Sequence, residues 1–217
     1  MSEFRTITLQ KGILEKNDEV ARVTRAGLDA KGIKMLNLMG SPGCGKTTFL
    51  VGTINALKAD FDISVMEADV DSDVDAATVA AATGVPVVQL HSGGMCHLDA
   101  EMTRQGIENL GATNGLVILE NIGNLLCTAN YDVGAHFDVM ILSVPEGDDK
   151  PLKYPPMFKK VDALIITKMD AMPVFDFDMQ KCEERVRKLN PNVQIFPVSA
   201  KTGEGMDAWT DWLRNKL

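Results

Sequence analysis

A chain of 217 residues with 45% hydrophobic and 24% charged content is long enough to bury one sizeable core and has the length of a single domain. Its net charge of −8 excludes a general nucleic-acid binder, which needs a basic surface to neutralise phosphates. No run reaches the length of a membrane span, MSEFRTITLQKG lacks the apolar core of a signal peptide, and Cys44, Cys96, Cys127 and Cys182 are too scattered for a disulfide framework, so no membrane association and a reducing, cytoplasmic location are expected.

Residues 8 to about 30 carry Leu9, Ile13, Leu14, Val20, Val23 and Leu28 at helical spacing among charges, which predicts one or two amphipathic helices packed on the main domain. An apolar run from Met35 to Met39 then feeds a glycine-rich turn, and a helix is expected from Lys46 to about Ala59. Here Gly40, Gly45, Lys46 and Thr47 fit G-x-x-x-x-G-K-[ST], a phosphate-binding loop. Gly40, Gly43 and Gly45 let successive N–H groups curl inward, and the helix adds its positive end, so Gly40, Gly43, Cys44, Gly45, Lys46, Thr47 and Thr48 form an anion cradle. Lys46 reaches β- and γ-phosphates and the Thr47 hydroxyl holds Mg²⁺, which makes both catalytic candidates. A turn that binds nothing leaves the Lys-Thr pair unexplained.

A second strand, Ile63 to Ala68, ends at Asp69, a candidate for the Mg²⁺ shell. The acidic stretch after it reads as a solvated loop at Asp71 and Asp73, whereas Asp75 is a candidate for orienting an attacking water. Next come helical alanines, a strand from Val85 to Leu90, the loop HSGGMCH and a helix from about Leu98 to Leu110. The run ending Ile118-Leu119-Glu120 leads into Asn121-Ile122-Gly123, an ExxG element in which Glu120 meets the Mg²⁺ shell and the Gly123 N–H senses a γ-phosphate.

Further apolar runs at Val139 to Val144, Ala163 to Thr167 and Val193 to Val198 alternate with helix-capable segments at Asp178 to Leu189 and Met206 to Leu213. That alternation predicts a doubly wound, mostly parallel α/β sheet with ligands at the carboxyl ends of its strands. Between them EGDDKPLKYP reads as a charged loop with a defined turn. Two strand ends carry Thr167-Lys168-Met169-Asp170 and Ser199-Ala200-Lys201, which resemble the NKxD and SAK guanine-reading elements of GTPases. A carboxylate at Asp170 accepts from guanine N1–H and the 2-amino group, which adenine cannot offer. Lys168 lies over the base and the Ala200 N–H bonds the guanine oxygen. Thr167 stands where most GTPases carry Asn, a variant shared with Rho-type GTPases. With no arginine near the phosphate loop or Gly123, slow intrinsic GTP hydrolysis is expected. The division expected is a helical segment over 1–30 and a P-loop GTPase domain over 31–217.

Cys96-His97, at a predicted helix start, and Cys127, just after the ExxG loop, offer two thiols and an imidazole, donors that suit zinc or nickel. Three ligands leave room for water or for donors from a second copy. From residue chemistry alone, small buried cysteines and a capping histidine are an equal alternative.

The set GSPGCGKTT, CHLDAEM, ENIGNLLC, EGDDKPLKYP, TKMD and SAKTGEGM closely resembles the HypB family, GTPases that assist nickel insertion into [NiFe]-hydrogenase, from about Met35 onward. The resemblance implies a P-loop NTPase fold of the SIMIBI type, GTP and Mg²⁺ as ligands, and nickel or zinc at Cys96, His97 and Cys127. It also implies a nucleotide-dependent homodimer, hydrogenase maturation partners and the hydrogenase large subunit as client. The N-terminal cysteine motif and histidine-rich tract of some members are missing, and only His91, His97 and His136 are present. A urease accessory GTPase of the UreG type is the nearest alternative, but its Cys-Pro-His motif is here Cys96-His97-Leu98. A metal-storage module with little turnover is another, set against the intact Gly45-Lys46-Thr47.

Overall fold

The structure, a computed structural model, describes residues 5–8 and 14–217, with side chains from residue 16 onward. The positions expected to be apolar helix contacts at Leu9 and Ile13 lie outside the described residues. Strand β1 (Arg5–Thr8) precedes helix α1 (Leu14–Asp29), β2 (Ile33–Gly40), α2 (Lys46–Leu57), β3 (Ile63–Asp69), α3 (Val74–Thr83) and β4 (Val87–His91). Then come α4 (Ala100–Leu110), β5 (Gly115–Glu120), β6 (Phe137–Ser143), α5 (Lys150–Lys153), α6 (Pro155–Lys160), β7 (Ala163–Thr167), α7 (Met179–Leu189), β8 (Gln194–Pro197) and α8 (Met206–Arg214).

Among the described residues eight strands form one sheet in the order β1-β4-β3-β5-β2-β6-β7-β8, and every pairing is parallel. The central strands read as unbroken apolar runs because helices cover both faces. Leu36, Leu38, Ile118, Val139 and Ile141 point to the face of α2 and α8, where Phe49, Leu50, Ile54 and Trp209 fill the core. Their neighbours Met35, Val117 and Leu119 pack with Met102 and Ile107 of α4, while Met39, Met140 and Leu142 pack with Phe158 of α6 and Val186 of α7. Trp209 is fully buried and donates its indole N–H to Thr53 Oγ1 at 2.9 Å, which satisfies a polar group that burial would otherwise penalise. No helix of the described residues is long and apolar enough to cross a membrane.

Three elements differ from the sequence reading. Arg5–Thr8 forms an edge strand on β4, where only four residues of pattern were present to signal it. EGDDKPLKYP is more ordered than a loop. Glu146 Oε2 accepts from the Ser143 N–H and hydroxyl, and Asp148 pairs with Arg185 and accepts the Asp178 N–H, so two short helices are fastened in place. Helix α4 begins at Ala100, with Asp99 as N-cap accepting the Met102 N–H at 2.9 Å. Cys96 and His97 therefore lie in the loop before the helix and not in its first turn.

His136 fixes the start of β6. Its Nδ1 accepts the Met35 N–H at 2.9 Å while Nε2 faces Asp29 Oδ1 at 3.2 Å, so the native ring is neutral with its proton on Nε2. Burial, and then the charge of Lys34, lower its pKa below the ordinary value. Between that lowered value and about 6.5 the unfolded chain binds the extra proton and the folded chain does not. Stability is accordingly expected to fall as pH drops through about 6.5 towards the depressed value. His136→Gln, which keeps an acceptor for Met35, should flatten that dependence in urea melts; an unchanged slope contradicts this role.

Candidate functional site

At the carboxyl ends of β2, β3 and β5 lies a cavity of about 800 Å³ lined by Gly43, Gly45, Lys46, Thr47, Thr48, Asp69, Asp75, Glu120 and Gly123, among others. Gly45 caps α2 with φ +98°, a conformation that side chains strain to reach. Gly123 approaches Pro42 so closely that a Cβ would sit 3.0 Å from its ring and backbone nitrogen, which puts the loop after β5 directly against the phosphate loop. Lys46 Nζ donates to the Ser41 carbonyl at 3.4 Å, and Thr47 Oγ1 donates to Glu120 Oε1 at 3.0 Å. Gly40 and Cys44 do not line the cavity. Cys44 is fully buried against Gly40, and burial pushes its thiol up to about 12, so it fills space and does not ionise.

Glu67, which sequence reasoning passed over, stands beside Glu120 in register on adjacent strands, and both are essentially inaccessible. Burial raises the pKa of each, and the neighbouring Glu120 charge raises Glu67 further. Glu67 Oε2 and Glu120 Oε2 have no hydrogen-bond partner. Together with Asp75, at the start of α3, these carboxylates converge within 4.8 Å. Orphaned hard oxygens gathered beside a hydroxyl are a donor set that suits Mg²⁺. Asp69 lines the cavity but stands outside this group, because its Oδ1 accepts the N–H groups of Asp71 and Ser72 at 3.0 and 2.8 Å. The signal for Glu67 is a carboxylate inside the largely apolar run ISVMEA, two residues before the strand end at Asp69.

A smaller cavity of about 270 Å³ adjoins the first and is lined by Thr48, Lys168, Asp170, Ala171, Ala200 and Lys201, among others. Lys168 adopts a left-handed φ of 61°, uncommon for a non-glycine residue, and its ammonium donates to the Gly43 carbonyl at 2.7 Å. Thr167 Oγ1 donates to the Cys44 carbonyl at 2.7 Å. The hydroxyl thus ties β7 to the phosphate loop. Ser199 is buried away from the cavity, and its hydroxyl donates to Asp170 Oδ1 at 2.8 Å, which orients the carboxylate towards the opening.

Cys96, His97 and Cys127 form a third cluster, with donor atoms within 4.8 Å of one another. The two sulfurs are 2.7 Å apart, and Cys96 Sγ lies 3.9 Å from His97 Nδ1. Sharing a proton with Cys96 raises the Cys127 thiol, a proton that a cation would displace. Asn124 shapes the Cys127 turn, its Oδ1 accepting from the N–H groups of Leu126 and Cys127 at 2.7 and 2.8 Å. The His97 ring stacks on Tyr131 with centroids 3.8 Å apart. Lys160 Nζ, which also pairs with Asp138, donates to the Tyr131 carbonyl at 3.1 Å. From Asp138 a polar chain crosses the sheet through Asn37 to Asn121, next to Glu120.

Residues 34–197 match the model of the CobW/HypB/UreG nucleotide-binding domain family. Over 217 residues the chain is 44% identical to the hydrogenase maturation factor HypB of Azotobacter chroococcum, covering 100% of this chain and 71% of that protein. The crystal structure of HypB from Helicobacter pylori in complex with nickel superposes with a TM-score of 0.87 at 38% identity, covering 93% of this chain and 94% of that one. The signal recognition particle receptor FtsY from Elizabethkingia anophelis, in complex with GDP, shares the fold alone. Its TM-score is 0.56 at 15% identity, over 84% of this chain and 65% of that one.

A carboxylate whose folded pKa is raised destabilises the native state above its unfolded pKa of about 4.3. Glu67→Gln is therefore expected to raise the melting temperature of the ligand-free protein at neutral pH by roughly 2–4 °C, and to reduce the further stabilisation by Mg²⁺ with a nucleoside triphosphate. Thermal melts with and without that ligand pair check both signs; a lower melting temperature in the ligand-free variant contradicts the assigned cost.

Proposed function

The chain belongs to the HypB family of hydrogenase maturation factors, and from this premise we propose that it is a metal-binding GTPase that hydrolyses GTP to GDP and phosphate and assists nickel insertion into [NiFe]-hydrogenase. The observation that carries this reading is a soft-donor cluster, Cys96, His97 and Cys127, beside a loop that starts at Glu120, itself hydrogen-bonded to the phosphate-loop Thr47.

GTP enters with its phosphates on the N–H groups of Gly43 to Thr48 and its base in the smaller cavity. Asp170 accepts from the guanine edge, the Ala200 N–H donates to its oxygen, and Lys168 and Lys201 cover its faces. Bound Mg²⁺ supplies charge neutralisation on the β- and γ-phosphates. Thr47 and Glu120 would hold it with Glu67 beside them, and Asp69, which lines the cavity, would face its water shell. Asp75, exposed at the mouth of the cavity, orients the attacking water, and Lys46 stabilises the charge that moves to the β–γ bridge. With no arginine in the phosphate loop, turnover is slow.

Nickel is the cargo. Two thiols and an imidazole suit nickel and also zinc, and they leave a fourth position for water or a second copy. The nickel-bound Helicobacter pylori relative supports nickel. The fourth position left at the metal supports donation from a second copy in a nucleotide-dependent homodimer, which would meet maturation partners and the hydrogenase large subunit in the cytoplasm.

In a phosphate-release assay Lys46→Ala should abolish GTP turnover. Asp170→Asn should weaken GTP binding about 100-fold or more and favour xanthosine triphosphate, whose 2-oxo group accepts from the new amide. Cys127→Ser should weaken nickel binding and leave GTP binding intact. Persisting turnover in Lys46→Ala, or parental nickel affinity in Cys127→Ser, overturns the respective assignment.

A further inference from the structure

The Cys96, His97 and Cys127 donors come from two separate loops, one ahead of α4 and one after β5, which touch through the His97–Tyr131 stack. The N-terminal helix adds a second tie between them. Asn17, in the first turns of α1, is 5% exposed. Its Nδ2 donates to the Asp132 carbonyl at 2.9 Å, and its Oδ1 accepts the N–H of Ala100 at 2.8 Å. A further, weaker contact runs from Nδ2 to Asp18 Oδ1 at 3.4 Å. Ala100 opens α4 three residues after His97, and Asp132 adjoins Tyr131, whose ring stacks on His97. One planar amide therefore spans the two ligand-bearing loops with its donor on one and its acceptor on the other.

We propose that Asn17 is a positioning residue of the Cys96/His97/Cys127 metal site, so that helix α1 belongs functionally to the metal centre and not only to the core. The inference rests on the assignment of that site in the proposed function. Asparagine is suited to the task because it alone among short side chains offers a donor and an acceptor in one rigid plane. Aspartate keeps the bond to Ala100 but loses the donor to Asp132. Alanine loses both and leaves the buried Ala100 N–H unpaired. Arg25 provides the comparison. It ties the same helix to the same loop, through the Ala135 carbonyl at 2.8 Å and the Asp132 carboxylate, without reaching the Cys96 loop.

The test uses the full chain, with nickel affinity measured by competition against a chromophoric chelator and the thiolate-to-nickel charge-transfer absorption as the geometric readout. Asn17→Ala and Asn17→Asp are expected to weaken nickel binding about tenfold or more, in line with losses of partners that orient metal ligands, and to shift the absorption band. Binding of a GTP analogue should stay at the parental level. Arg25→Gln should lower the melting temperature yet keep parental nickel affinity and band. Parental affinity and band in both Asn17 variants, with nickel lost in Cys127→Ser, overturn the inference and leave the site standing. Equal loss in Arg25→Gln also overturns it, since the effect would then be general loosening of α1. Parental binding in Cys127→Ser removes the site itself, and the inference with it. Should Asn17→Ala not fold, Asn17→Asp, which keeps the Ala100 bond, decides the outcome.

Discussion

The hydrogen bond from Thr47 to Glu120, 3.0 Å long, joins the helix that follows the glycine-rich loop to the strand whose continuation carries Cys127. Only six residues separate Glu120 from Cys127, a span of about 25 Å at full extension and much less here, since Gly123 is packed on Pro42 and Asn124 closes the turn that presents the thiol. A segment so short and so tightly held is the route by which a change at the phosphate loop would reach the thiol. Chain continuity is thus the constraint under which two pockets of opposite chemical character, one built of hard oxygens and one of soft sulfur and nitrogen, become neighbours.

The same region is where the fold spends stability. Glu67 and Glu120 lie side by side, continuing a face of the sheet on which Val65, Ile118 and Leu38 are aliphatic core, and each has a carboxylate oxygen without a partner. Burying carboxylates this way is unfavourable, whereas an aliphatic pair at the same register would pack well. Unpaired oxygens of this kind are suited to a cation brought in with the nucleotide. Strain in Lys168 obeys the same logic, since its unfavourable φ lets the stem line the smaller cavity while the ammonium ties down the phosphate loop.

Much of this architecture is legible in the sequence, and the reason is local chemistry. Gly45-Lys46-Thr47 after an apolar run, and Asp170 and Ala200 after two later runs, are contiguous motifs whose spacing carries their meaning. The parallel sheet is readable because unbroken apolar strands alternate with helices. The features that stay hidden depend on relations between distant residues. Glu67 acquires its significance only from the register of β3 on β5. Asn17 looks like one more polar residue on an amphipathic helix until the loops holding His97 and Tyr131 are brought to either side of its amide. Helix α4 starts at Ala100 and not at about Leu98, which leaves Cys96 and His97 in the preceding loop, because Asp99 can accept the Met102 N–H and so caps the helix. Arg5–Thr8 is too short to announce an edge strand by pattern.

Coupling between the two pockets is tested most directly by measuring nickel affinity of one preparation with GDP and with a non-hydrolysable GTP analogue. If the loop from Glu120 to Cys127 responds to the terminal phosphate, the two affinities should differ by about fivefold or more, and nickel should change the preference for analogue over GDP by the same factor. Equal nickel affinities in the two nucleotide states would contradict the coupling and leave a GTPase and a metal site that merely share a chain.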